Sequence, residues 1–134
     1  MKPRFSLPAS LFFFGILLTS ATPFGGEEPL EDTVLQLPIA GNTYAQNMTG
    51  RSRIITNNGI ESWTDKQVQF DTYLRINQPG TIKIALNAKA DGESSLQVSI
   101  NNKKKTIAVK SNEFQRYEVG EWAMNDTGYV RITL

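Results

Sequence analysis

Trp63 stands in a turn-rich stretch, Asn57 to Asp65, among the polar neighbours Asn57, Asn58, Glu61 and Asp65. A flat indole with amides and carboxylates beside it is what a sugar site uses: the ring stacks on pyranose C–H groups and planar polar side chains meet hydroxyls. The competing role is a tryptophan that closes one end of a core, since large aromatics are usually buried. Trp122, which follows Tyr117-Glu118-Val119-Gly120-Glu121, suits packing better than binding. Glu61, Asp65 and Asp71 are close in the chain, and paired carboxylates serve glycoside hydrolysis, but no motif fixes their separation. Catalysis by a small glycoside hydrolase therefore ranks behind non-catalytic readings.

The remaining chemical kit is short. The 134 residues contain no His and no Cys. Disulfides, thiolate or imidazole metal sites and nucleophile systems of the Ser-His-Asp or Cys-His kind are thereby excluded. No cofactor and no metal are expected. A formal charge of +1 offers no basic field for nucleic acid. With 40% hydrophobic and 20% charged residues the chain is neither a disordered segment nor a multi-span membrane protein.

Lys2 and Arg4 precede an apolar run from Leu11 to Leu18, and Thr19-Ser20-Ala21 supplies small residues for cleavage after Ala21. Residues 1–21 read as an export leader, because the run is too short for a spanning helix. The expected location is secreted or periplasmic, without a transmembrane anchor. Losing Lys2 and Arg4 leaves 12 basic and 13 acidic residues, a formal charge of −1. Residues 22–32, rich in Gly, Pro and acids, read as a linker, and residues 33–134 as one domain long enough to bury a core.

The elements that must position these side chains are strands. No window after Asp32 carries apolar residues at helical spacing for three turns. Val68, Phe70, Thr72, Leu74 and Ile76 share one face of a strand, with Gln67, Gln69, Asp71, Tyr73 and Arg75 on the other. The same alternation recurs at Ile82, Ile84, Leu86 and Ala88, at Leu96, Val98 and Ile100, at Ile107 and Val109, and at Val130, Ile132 and Leu134. Shorter strands are expected at Thr33–Leu37, Thr43–Asn47, Arg53–Ile55 and Gln115–Val119. Eight or nine short strands between turn residues predict an all-β, antiparallel sandwich or barrel.

Directly opposite residues face the same side, so a hairpin joining the first two of these strands sets Ile76 against Ile82 and Leu74 against Ile84. It predicts a Gln78-Pro79-Gly80 loop with Gly80 left-handed. In that register Tyr73 faces outward opposite Ala85, Asp71 opposite Asn87 and Arg75 opposite Lys83. An exposed Tyr beside a small residue, rimmed by a carboxylate, an amide and two cations, is a stacking platform unless a loop or a following domain covers it. The candidate ligand-binding residues are thus Trp63, Tyr73, Asp71, Arg75, Asn87, Asn58 and Glu61. A second hairpin turns at Asn101-Asn102 or Asn102-Lys103, and two positive φ angles suit Asn-Asn better. Lys103, Lys104 and Lys105 then cluster at its tip, as a charge run that blunts an edge strand rather than an anion site.

Gly41-Asn42-Thr43-Tyr44, Asn58-Gly59-Ile60-Glu61-Ser62-Trp63-Thr64, Phe70-Asp71-Thr72-Tyr73-Leu74-Arg75-Ile76, Pro79-Gly80, Ala88-Lys89, Phe114, Tyr117-Glu118-Val119-Gly120 and Gly128-Tyr129-Val130 follow one another in this order. The ordered set resembles domain of unknown function 5077 over roughly Val34 to Leu134. That resemblance implies a secreted bacterial domain placed ahead of a second domain, with a jelly-roll-like sandwich similar to carbohydrate-binding modules. It brings no established binding residues. Sandwiches of that shape often hold a structural calcium through acids on their first and last strands. Here neither Val34-Leu35-Gln36-Leu37 nor Tyr129 to Leu134 contains an acid, so no calcium is expected there, with Asp126 the nearest carboxylate.

Three functions compete on these grounds: a non-catalytic carbohydrate-binding accessory domain, an interaction domain that packs on a neighbouring domain without a ligand, and a small hydrolase. The expected partners are a polysaccharide or glycan and a downstream domain of the same protein. Leu134 is an apolar residue inside an alternating strand with no solvated tail after it, which predicts a product that continues further.

Overall fold

The computed structural model describes residues 14–19, 33–50 and 53–134. The basic head Lys2 and Arg4, the cleavage position after Ala21 and the linker 22–32 lie outside them. Every regular element among the described residues is a strand, and every pairing is antiparallel. None of these residues forms a helix long and apolar enough to cross a membrane.

Strands β1 (Phe14–Thr19), β2 (Thr33–Leu37), β7 (Gly80–Ala88) and β10 (Gln115–Met124) form a four-stranded sheet in the order β10-β7-β1-β2. Strands β3 (Thr43–Gln46), β6 (Gln69–Ile76), β8 (Ser94–Ile100), β9 (Lys103–Val109) and β11 (Gly128–Thr133) form a five-stranded sheet in the order β3-β6-β11-β8-β9. A small ribbon pairs β4 (Ile55–Thr56) with β5 (Gly59–Ile60). From β6 onward the chain passes repeatedly between the two large sheets. Of the sandwich and barrel that the spacing of short strands allows, the chain forms the sandwich, as the family resemblance implies.

Alternation explains the core. Phe70, Ile76, Ile100 and Ile132 from one sheet, and Ile82, Ile84 and Leu86 from the other, are almost wholly buried. Thr72 shares that inward face, and its hydroxyl lies 2.7 Å from that of Thr43 on β3, so each satisfies the other inside the core. Leu134 is buried too, and its backbone exchanges two hydrogen bonds with Phe70, at 2.9 and 3.1 Å. The Asn101-Asn102 turn has φ of 48° and 62°, joining β8 to β9 with Ile100 opposite Lys103, as two left-handed Asn residues predict. β9 is an edge of its sheet, so the lysine run lies where edge-blunting charge is useful. A bulge between Glu118 and Gly120 interrupts the β10–β7 register. Gly120, with φ of 145°, lies under the Lys105 side chain, 2.6 Å from where a Cβ would stand, so a larger residue there would displace that lysine.

The expected hairpin between β6 and β7 does not form. β6 pairs with β3 and β11, whereas β7 pairs with β1 and β10. Ile76 lies opposite Gly128 and Leu74 opposite Val130, while Ile82 lies opposite Trp122 and Ile84 opposite Gly120. Gly80 does not take a positive φ. The inward face of each strand is as alternation dictates, but alternation is equally satisfied by a turn within one sheet and by a step across to the facing sheet.

Phe14–Thr19 falls inside the segment read above as a leader, yet it pairs with β7 over six positions and with β2 over five. Cleavage after Ala21 would take this strand away and open the β7 edge at positions 81–86. A chain beginning at Thr22 is therefore expected to lose amide-exchange protection along that edge relative to the full chain. Unchanged protection would mean that β2 or another segment takes the same place.

Candidate functional site

The outward face of the five-stranded sheet follows from register, because directly paired residues face the same side. On β6 this face carries Gln69, Asp71, Tyr73 and Arg75; Tyr44 pairs with Asp71 from β3, and Tyr129 and Arg131 pair with Arg75 and Tyr73 from β11. Tyr44, Tyr73 and Tyr129 thus step diagonally across three adjacent strands. They are 59%, 37% and 77% exposed, among the most exposed large apolar side chains of the described residues. The Tyr44 and Tyr73 rings meet edge to face, with centroids 6.1 Å apart and planes at 67°. That contact fixes two rings of the stripe relative to each other.

Asp71 supports this face rather than rimming it. It is only 6% exposed; the Thr133 hydroxyl donates to Oδ1 at 2.6 Å, and Arg131 Nη1 lies 4.0 Å from Oδ2. Asn87 is not beside it, because β7 belongs to the other sheet, where Asn87 faces Arg116 and Lys83 faces Glu121. The expected pairs Tyr73–Ala85, Asp71–Asn87 and Arg75–Lys83 are therefore corrected: each strand's outward residues are right and their partners are not. Tyr73 and Arg75 do stand together on an exposed face, with Arg131 and Tyr129 as their cross-strand neighbours.

Trp63 lies on a groove of about 660 Å³ that runs from the end of the sandwich onto this face, lined also by Val68, Gln69, Gln97, Lys104 and Arg131. The indole is half-buried, its ring set edge to face against Phe70 at 4.8 Å and 81°, and Nε1 donates to the Asp65 carbonyl at 2.9 Å. Asp65 Oδ1 in turn accepts from the Gln67 amide at 2.9 Å, which holds the turn beneath the ring. Trp63 thus packs one edge on the core through Phe70 and turns another surface toward the groove. Arg131 links the groove to the tyrosine stripe, since it lines the first and pairs with Tyr73 in the second.

Asn58 and Glu61 are elsewhere. Asn58 is at the exposed tip of the β4–β5 ribbon, where its amide donates to Thr56 Oγ1 at 3.0 Å. The Glu61 amide donates to the Ile54 carbonyl at 2.8 Å, and neither side chain lines the groove. Trp122 is packed: it is 2% exposed and its Nε1 donates to the Lys103 carbonyl at 3.1 Å. Among the described residues no three carboxylates gather as a metal site would require. Tyr44, Tyr129, Arg131 and Gln97 are the additions made by the structure. The signal for the two tyrosines was present, since each holds the polar phase of a strand, and exposed aromatics become informative where they gather as a patch.

Residues 37–134 match the family model described as a domain of unknown function, DUF5077. The match begins at the last residue of β2 and takes in all of the five-stranded sheet. A search of curated proteins gave no match.

Proposed function

The chain belongs to the DUF5077 family, and on that premise we propose that it is a non-catalytic, exported accessory domain that binds a glycan on the outward face of its five-stranded sheet. The observation that carries this reading is the stripe of Tyr44, Tyr73 and Tyr129. Stacking on exposed rings supplies most of the affinity for a sugar, because polar contacts to hydroxyls nearly cancel against lost water contacts. A stripe across three strands offers successive stacking positions, which suits an extended polysaccharide better than one small sugar. The leader reading supports export, and a buried, hydrogen-bonded Asp71 as the acid of this face supports binding rather than hydrolysis.

A second reading, packing against a neighbouring domain without any ligand, draws on Val34 and Leu35 of β2, which are 59% and 42% exposed. Electrophoresis through gels containing a panel of polysaccharides separates the two. The parent protein is expected to be retarded by at least one polymer. Tyr73→Ala and Tyr129→Ala should each weaken that retardation several-fold, and the double variant should abolish it, with stability changed by about 0.5 kcal/mol or less for the highly exposed Tyr129. A parent retarded by no polysaccharide, or tyrosine variants that bind like the parent, would refute the glycan reading. Turnover of the retarding polymer would replace it with the hydrolase reading.

A further inference from the structure

The glycan face is cationic, and the other face of the sandwich is not. Strands β6, β11 and β9 place Arg75, Arg131 and Lys104 on the outward side of the five-stranded sheet. Among the described residues of its strands the one outward carboxylate, Asp71, is buried and engaged by Thr133, while Asp65 and Glu93 line the groove at its end. On the four-stranded sheet the outward cations Lys83 and Arg116 are matched by Glu118 and Glu121, with Arg116 Nε 2.8 Å from Glu118 Oε1. The asymmetry therefore belongs to one surface of a chain whose net charge is close to zero. Each arginine stands directly across from a tyrosine of the stripe, Arg131 from Tyr73 and Arg75 from Tyr129. Asp71, 4.0 Å from Arg131 Nη1, braces the guanidinium from below, while the Arg131 side chain remains 62% exposed and also lines the groove.

We propose that the ligand of this face is a polyuronate, a glycan whose pyranose rings carry carboxylates. A ring stacked on Tyr73 or Tyr129 sets its exocyclic carboxylate over the neighbouring strand, where a guanidinium offers the planar two-point hydrogen bonding that matches a carboxylate. Neutral sugars would leave both arginines without that partner. This inference rests on the glycan-binding reading above and adds the chemical class of the glycan.

The test is affinity electrophoresis of the domain in gels of polygalacturonate and of the same polymer after carboxyl reduction. Strong retardation by the acidic polymer, at least about tenfold greater than by its reduced form, is the expected result. Raising the salt concentration from about 50 to 500 mM should weaken it, since exposed charges are screened. Arg131→Gln and Arg75→Gln should each lower retardation about tenfold, Arg131→Lys should recover only part of it, and Lys83→Gln on the opposite sheet should change nothing. Equal retardation by the acidic and reduced polymers overturns the polyuronate assignment and leaves the glycan reading standing. Retardation by neutral or sulfated polymers alone overturns it likewise. Loss of retardation by every polymer tested removes both.

Discussion

Replacing Trp122 by alanine is expected to destabilise the domain by about 3–5 kcal/mol, a large share of what holds a domain of this size together. Trp122 is 2% exposed and sits on β10 directly opposite the fully buried Ile82. Its removal leaves a cavity between β10 and β9, because Lys105, whose Nζ lies 4.9 Å from the ring centre, has only a flexible aliphatic stem to fill it. The indole hydrogen bond to the Lys103 carbonyl adds little to the loss, since that carbonyl lies at an exposed turn and can turn to water. Trp122→Phe keeps much of the volume and is expected to recover most of the stability. Urea denaturation of the three proteins is the measurement, and a loss below about 1.5 kcal/mol for the alanine variant would mean that Trp122 does not serve the core.

Phe70→Ala is expected to cost about as much, roughly 3–5 kcal/mol, because Phe70 is fully buried in the core. Trp63→Ala should cost clearly less, since the indole is only partly buried and lines the groove. The two rings touch edge to face at 4.8 Å, so the double variant should lose less than the two single losses combined, by about 0.5–1.5 kcal/mol. That coupling is what a ring contact contributes and what a mere neighbour would lack. Binding measured on Trp63→Ala then separates its roles. If the groove takes part in holding a glycan, affinity falls by more than the stability loss can explain; if Trp63 only closes the end of the core, the folded fraction binds as the parent does.

Much of this molecule was legible in its sequence because a strand writes its buried face with a period of two. The inward residues of β6, β7, β8 and β11, the Asn101-Asn102 turn and the packing role of Trp122 all followed from local rules. The presence of Tyr73 and Arg75 on an exposed face followed in the same way. The absence of His and Cys by itself narrowed the chemistry before any fold was known.

Tertiary structure decided which strand lies beside which. Asp71 and Asn87, expected as neighbours, ended in different sheets, and Asp71 gained Thr133 and Arg131 from β11, some sixty residues away in the chain. Tyr44 and Tyr129 became part of one stripe with Tyr73 only because β3 and β11 flank β6. The physical reason is that side-chain alternation depends on the two faces of a single strand, whereas pairing depends on backbone hydrogen bonds that every strand can offer to every other. Composition and periodicity therefore determined which face of its strand each side chain takes. Only the packed sandwich determined which of the outward side chains stand together as an exposed surface and which, like Asp71, are covered.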